Sequence, residues 1–473
     1  MINQVLLVAY VLAIIVLSLR LRQGTLSGFV ISDRNIMYPA VIGIAFTAAY
    51  FSAASFLGGG GYGLVCGFPW TIWAVFLHVF FACMAWLIAP RIWSMAKEYD
   101  ARTVPQLLER RYKSPGGKVV LAVIMLIMYA IYLVAIYKGC AELFQGLLGV
   151  TYVQGLIIAV SIVAVYYVIG GLPAILWISF IQGILMLVGA VLLYGSLLQR
   201  GGGMQIWEHI PAAVTSMSGY MMPWEKSLGM AFSISLGLVA LPDLLIMIFS
   251  ARDRRVVRFA GIYGPISIAV YAFCIFSIGV LAYGAFTAEE LAPFEKSPDS
   301  FIPFVATTLL PPGFDALILL AAISAAMSTI SAIVLVTTTS LTSDILRFFR
   351  PAISDDRVLL LTRGLGVVLI GVSALLANDM PQGIVPLVSV SMGVIACCVF
   401  VPLIFGLYWN GGTGQGFVAS LLASFISVVL WHFYSGSVIH PVFIGLICGT
   451  VAYVGVSLFT AAPGKEAKGT GHK

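Results

Sequence analysis

Apolar residues along this chain come in long, nearly unbroken runs separated by short polar stretches, without the strict alternation of a half-buried strand. A run of about 20 such residues is long enough to cross a bilayer as a helix. The pattern predicts thirteen of them, at roughly 2–20, 38–66, 69–96, 118–147, 151–170, 173–199, 227–250, 258–286, 313–343, 357–378, 384–409, 413–435 and 439–460. The first run lacks a basic leader and ends in Leu19-Arg20-Leu21-Arg22 without a small-residue cleavage site, so it reads as a retained anchor. The widest gaps are only about 20 to 27 residues, short of the roughly 50 a soluble domain needs. The expectation is one all-α membrane domain over 1–473, with short surface helices near 103–112 and 300–310.

Two of the runs carry helix breakers. In the second, Phe51-Ser52-Ala53-Ala54-Ser55-Phe56-Leu57 leads into four glycines, Gly58 to Gly61, which disfavour regular helix. In the seventh, Gly237 and Pro242 interrupt the run and Asp243 follows the proline. A proline has no N–H, so a carbonyl one turn earlier loses its partner. Such backbone is tolerated at membrane depth only where protein buries it or a wet cavity solvates it. The breaks lie five helices apart, as expected for two inverted five-helix repeats, about 38–199 and 227–409, with 2–20, 413–435 and 439–460 added outside them.

Composition agrees with a membrane protein. Hydrophobic residues make up 61% and charged residues 9%, against about 25% charged in a soluble domain. The net charge of +6 is an orientation signal and implies no nucleic-acid partner. With thirteen crossings, 21 of the 25 lysines and arginines fall on one side. The positive-inside rule makes that side the cytoplasm, with the N-terminus outside and the tail, carrying Lys465, Lys468 and Lys473, inside. The seven cysteines have no metal-ligand spacing and read as small apolar fillers.

Three polar features sit inside the runs. Ser328 and Thr329 follow Ala325 at i+3 and i+4, on nearly one helix face. Their hydroxyls and the Ala325 carbonyl would offer neutral oxygens to a small hard cation such as sodium, or they pack helices closely. Lys138 lies deep in the fourth run, where a charge needs an interior partner. It has four readings: a pair with Glu142 one turn on, an anchor for a substrate carboxylate, a pair with Asp243, or snorkelling to water. Asp243 itself also reads as a cap at the helix break.

Several segments, taken in order, resemble the sodium/solute symporters over nearly the full chain, closest in pattern to the pantothenate and short-chain monocarboxylate permeases. They are Ala48-Ala49-Tyr50-Phe51-Ser52-Ala53-Ala54-Ser55-Phe56-Leu57-Gly58-Gly59, then Ile169-Gly170-Gly171-Leu172-Pro173-Ala174 through Trp177 to Gln182-Gly183, and Ala325-Ala326-Met327-Ser328-Thr329-Ile330-Ser331. Ser340-Leu341-Thr342-Ser343-Asp344, Leu241-Pro242 and Pro402 to Trp409 also look familial. The resemblance implies the LeuT-type inverted-repeat fold in the plasma membrane. It implies one sodium held by the carbonyls of Ala48, Phe51 and Ala325 and the hydroxyls of Ser328 and Thr329. Substrate would lie beside it, against Tyr50, Ser52, Ser55, Phe56 and the opened span from Gly237 to Asp243, with Lys138 as a further candidate. Ser179 stands where many members have an aspartate, and Asp243 and Met247 stand where many have a histidine or glutamine and then an arginine.

The expected activity is sodium-coupled import of a small organic solute, a carboxylate of the monocarboxylate or pantothenate kind. The alternatives are a proline-type amino-acid symporter, then a sugar symporter or a transporter-like sensor, for which the tail after Pro463 leaves little room. The five histidines show no ligand spacing and acids inside the runs are few, so an enzyme is not expected.

Overall fold

Long apolar runs become helices because a backbone in hydrocarbon has to satisfy its own N–H and C=O groups. The structure, a computed structural model, describes residues 2–311, 313–378 and 384–460. The basic tail used for orientation lies outside the described residues. In chain order the helices used below are α1 (Ile2–Arg20), α2 (Pro39–Tyr50), α3 (Ala54–Cys66) and α4 (Phe68–Glu98). Then come α5 (Val104–Tyr112), α6 (Pro115–Leu148), α7 (Tyr152–Arg200), α8 (Trp224–Ala240) and α9 (Pro242–Phe249). They are followed by α10 (Arg254–Ala285), α11 (Phe301–Leu309), α12 (Phe314–Thr339) and α13 (Asp355–Ala377). The last three are α14 (Ile384–Tyr408), α15 (Gly414–Tyr434) and α16 (Pro441–Thr460). The short α5 and α11 occupy the two gaps where surface helices were expected.

Helix starts follow the local chemistry. Thr103, Ser114, Thr151, Asp253 and Thr413 each accept a hydrogen bond from the backbone N–H three residues on. Among the described residues ten helices are long and apolar enough to span a membrane, or eleven with the bent α2–α3 pair, against thirteen runs expected. One part of the difference is α7. Its 49 residues reach about 74 Å, more than twice a hydrocarbon core of about 30 Å, and Gly171 (φ 63°, ψ −165°) divides it. The other part is α1, whose apolar stretch Val5–Arg20 is short.

Burial ranks the helices. The α12 span is 94% buried in its apolar window and the α8–α9 span 89%, whereas α15 and α16 are 33% and 28% buried. The spans with breaks and hydroxyls therefore form the centre, and the last two helices lie at the edge.

Both expected breaks exist, but the first is displaced. The 70° bend falls between Tyr50 and Ala54, before the glycines. Gly58 to Gly61 are helical, the first two within a π-helical turn. Their role is close packing. A Cβ on Gly59 would lie 2.6 Å from Phe276 Cε1, and one on Gly61 would lie 1.9 Å from the Pro298 carbonyl oxygen. Pro298 belongs to the loop that leads into α11, so that loop rests directly on α3. The backbone carbonyl cannot swing aside. Gly61→Ala is expected to destabilise the protein by at least about 1–3 kcal/mol, while Gly116→Ala, with nothing within 4 Å, leaves stability unchanged; thermal unfolding in detergent checks both.

Candidate functional site

At the end of α2 the backbone of the last turn has carbonyls with no helical N–H ahead of them. Phe51 N–H still bonds to Thr47 O (2.9 Å), but the chain turns away after that. Two side chains from α12 fill the gap. Ser328 Oγ donates to Ala48 O at 2.7 Å, with Ala325 O at 3.0 Å. Thr329 Oγ1 donates to Ala49 O at 2.7 Å, with Ala325 O at 3.1 Å. Three carbonyls and two hydroxyls thus converge where α12 crosses the break, and all five residues are buried. Ala48, Ala325, Ser328 and Thr329 meet as expected. Ala49 O, a carbonyl outside the expected set, joins them as the acceptor of Thr329, whereas the expected Phe51 carbonyl accepts from neither hydroxyl.

The second break is built differently. Leu241 N–H bonds to Gly237 O (2.8 Å), and Pro242 then starts α9 without an N–H of its own. The two broken spans touch, because Tyr50 OH donates to Ile234 O on α8 at 2.9 Å.

Between the two broken spans lies a small cavity of about 20 Å³. Tyr50, Ser52 and Ser55 line it, as the sequence suggested. Trp70 and His78 of α4, Tyr132 of α6, Phe276 of α10 and Met392 of α14 complete much of the wall. No sequence signal short of the fold points to these, since they sit on four helices far apart in the chain. Their hydrogens are largely committed: Ser55 Oγ to Ser52 O (2.8 Å), Trp70 Nε1 to Gly59 O (2.8 Å) and Tyr132 OH to Ser52 Oγ (3.4 Å).

Four expected residues do not line this cavity. Phe56 packs its ring against Tyr271. A Cβ on Gly237 would lie 3.0 Å from Met392 Cε, so Gly237 supports the wall from behind. Asp243 faces α6, where Tyr129 OH donates to its carboxylate. Lys138 lies nine residues beyond Tyr129 on α6, about 14 Å along the helix, which separates it from that aspartate. The half-buried Lys138 instead has Glu142 and Asp299 as electrostatic neighbours. Asp299 also accepts from Ile384 N–H at the start of α14 (3.2 Å) and abuts Gly58. Burial raises the Asp299 carboxyl above its ordinary range, opposed by that N–H and by the Lys138 ammonium.

At the other end of α12, Asp344 is buried and accepts from Thr103 (2.9 Å), Gln106 (2.8 Å) and Ser340 (2.7 Å). The acid that closes the hydroxyl-rich stretch thus ties α5 to the end of the central helix.

Comparison with known proteins agrees with this geometry. The chain is 26% identical to the sodium/pantothenate symporter of Escherichia coli (strain K12), covering 97% of this chain and 96% of the relative. It is also 26% identical to the high-affinity proline transporter PutP of Bacillus subtilis (strain 168), covering 93% and 94%. Among solved structures, a Na+-coupled sialic acid symporter in its substrate-bound outward-open state superposes with a TM-score of 0.86 at 17% identity, over 99% of both chains. That match shows the LeuT-type fold that the family resemblance implied. Residues 29–424 match the sodium:solute symporter family, and the chain belongs to that family, whose members are secondary transporters that couple solute movement to sodium.

Proposed function

We propose that this protein imports a small organic carboxylate with one sodium ion per cycle, and that the ion binds where α12 crosses the break after α2. The observation that carries the reading is the pair of hydrogen bonds from Ser328 and Thr329 to the Ala48 and Ala49 carbonyls. Each hydroxyl can turn its hydrogen away and present a lone pair, leaving the α2 carbonyls free to do the same. Five neutral oxygens suit a hard monovalent cation and hold it without a carboxylate's full charge. An ion there would replace two hydroxyl bonds by a shared centre and clamp α12 to the broken span.

The neighbouring cavity has space for about one water, so seating a solute requires α2–α3, α4, α8 and α14 to separate. The two breaks fall at matching places in repeats of about 38–199 and 227–409, and movement of one repeat against the other would open the cavity to each side in turn. On the positive-inside reading, the loop carrying Asp299 and the start of α14 face outward. Among the described residues no lysine or arginine lines the cavity, and the Ala54, Ser55 and Phe56 N–H groups already donate to Ser52, so the bound ion is the charge left to receive a carboxylate. The pantothenate-transporting relative supports the carboxylate reading, and the equally similar proline transporter keeps a zwitterionic carboxylate as the second reading.

Ser328→Ala and Thr329→Ala each remove one oxygen, and half-maximal uptake should then need about tenfold more sodium or beyond, with a smaller loss at saturating sodium. Uptake in proteoliposomes across a sodium series measures this, and unchanged sodium dependence in both variants would show the site is elsewhere. Lys138 is expected to serve the outer cluster. Lys138→Met should lower folding yield by leaving Glu142 and Asp299 without their shared cation, and adding Asp299→Asn should restore much of it. Solute affinity in the folded fraction should stay within about twofold, whereas an anchor role would lose affinity first.

A further inference from the structure

One polar atom in the cavity wall has its bonding capacity unused. His78 on α4 is 1% exposed. Its Nδ1 lies 2.6 Å from the Ala74 carbonyl and 2.9 Å from Ser235 Oγ. A carbonyl can only accept, so Nδ1 carries the proton, and in the neutral ring Nε2 is a bare acceptor. Nε2 is buried with no hydrogen-bond partner among the described residues. The ring cannot easily rotate to find one. Phe51 stacks on it at 5.7 Å and 13°, and Tyr50 and Phe276 stand at 5.5 Å and 4.9 Å.

The other polar side chains of the wall are differently placed. Tyr50, Ser55, Trp70 and Tyr132 already donate to protein acceptors, and Ser52 Oγ receives both the Ala54 N–H (3.2 Å) and Tyr132. Buried polar groups are nearly always satisfied, and an exception in a binding cavity points to a ligand. A water in this space would meet the need between solutes and be displaced by a solute group of the same polarity.

We propose that His78 Nε2 accepts a hydrogen bond from the solute, so that the transported carboxylates are those with a hydroxyl or N–H next to the carboxylate. The proposal rests on the symport reading of the same cavity and narrows its substrate class. A site that holds a donor this way discriminates strongly against the analogue lacking it, because the acceptor is then stranded. His78 is thereby a specificity-determining residue, and the sodium oxygens on α12 are independent of it.

The test uses two matched pairs, lactate with propionate and proline with cyclopentanecarboxylate, as competitors and as labelled solutes in proteoliposomes. The wild-type protein should favour the donor-bearing member of at least one pair by tenfold or more. His78→Phe should erase that preference by weakening the donor-bearing member alone, and His78→Gln, which restores an acceptor oxygen, should recover part of it. Sodium stabilisation without solute, read by thermal shift, should be unchanged in both variants. Equal loss of both members in His78→Phe would overturn the proposal, as would a wild-type preference for propionate or cyclopentanecarboxylate. So would binding of none of the four by protein that sodium still stabilises, an outcome that leaves the ion site standing. Loss of sodium stabilisation in the wild type would overturn the symport reading itself. Independently of any solute, ¹⁵N spectra of histidine-labelled protein should show one ring, absent in His78→Phe, with Nδ1 protonated and Nε2 bare; a proton on Nε2 overturns the assignment.

Discussion

An unpaired backbone carbonyl inside an apolar bundle is the constraint on which the centre of this molecule depends. Ending α2 at Tyr50 strips the Ala48 and Ala49 carbonyls of their helical donors at a depth where bulk water is unavailable to replace them. Ser328 and Thr329 supply the missing hydrogens from another helix. The hydroxyls and carbonyls are thereby drawn into one cluster of oxygens. A structural need at a helix end and the proposed ion site are the same set of atoms, differing only in where two hydroxyl hydrogens point.

Close packing around that cluster depends on small residues. Gly59 admits the Phe276 ring, Gly61 admits the Pro298 carbonyl, and Gly63 meets Gly279 with backbone against backbone. With side chains removed from these contacts, helices approach closely enough for dispersion to hold them without a hydrophobic drive. The cavity is small for the same reason. Its walls are aromatic and aliphatic side chains pressed around a few hydroxyls, and any solute has to part them.

The buried acids are handled with neutral donors as well as charge. Asp243 is met by Tyr129, and Asp344 by Thr103, Gln106 and Ser340. The bonds from Tyr129, Thr103 and Gln106 run between helices distant in sequence, so each acid staples two parts of the bundle, while Ser340 donates from one turn before Asp344. Asp299, with the Lys138 ammonium nearby, sits outside the spans, in the loop that caps α14 and rests on α3.

Membrane helices, their approximate limits, the two breaks and the Ser328–Thr329 pair were legible in the chain because each depends on local chemistry: run length, a missing N–H, and hydroxyls one turn from an alanine. Family resemblance added that these segments belong together. The position of the first break was not legible, because four glycines look like a hinge in sequence, yet serve as contact points once Phe276 and Pro298 arrive. Glu142 beside Lys138 was legible one turn along the same helix, but Asp299 near Lys138 and Tyr129 at Asp243 were decided by segments distant in the chain. His78 offered no spacing to read, since its meaning comes from Ala74 and Ser235 at Nδ1, an Nε2 unpartnered among the described residues and a place in the cavity lining. Periodicity and propensity act over a few residues, whereas the meeting of carbonyls, hydroxyls and an unused ring nitrogen requires helices hundreds of residues apart to be packed side by side.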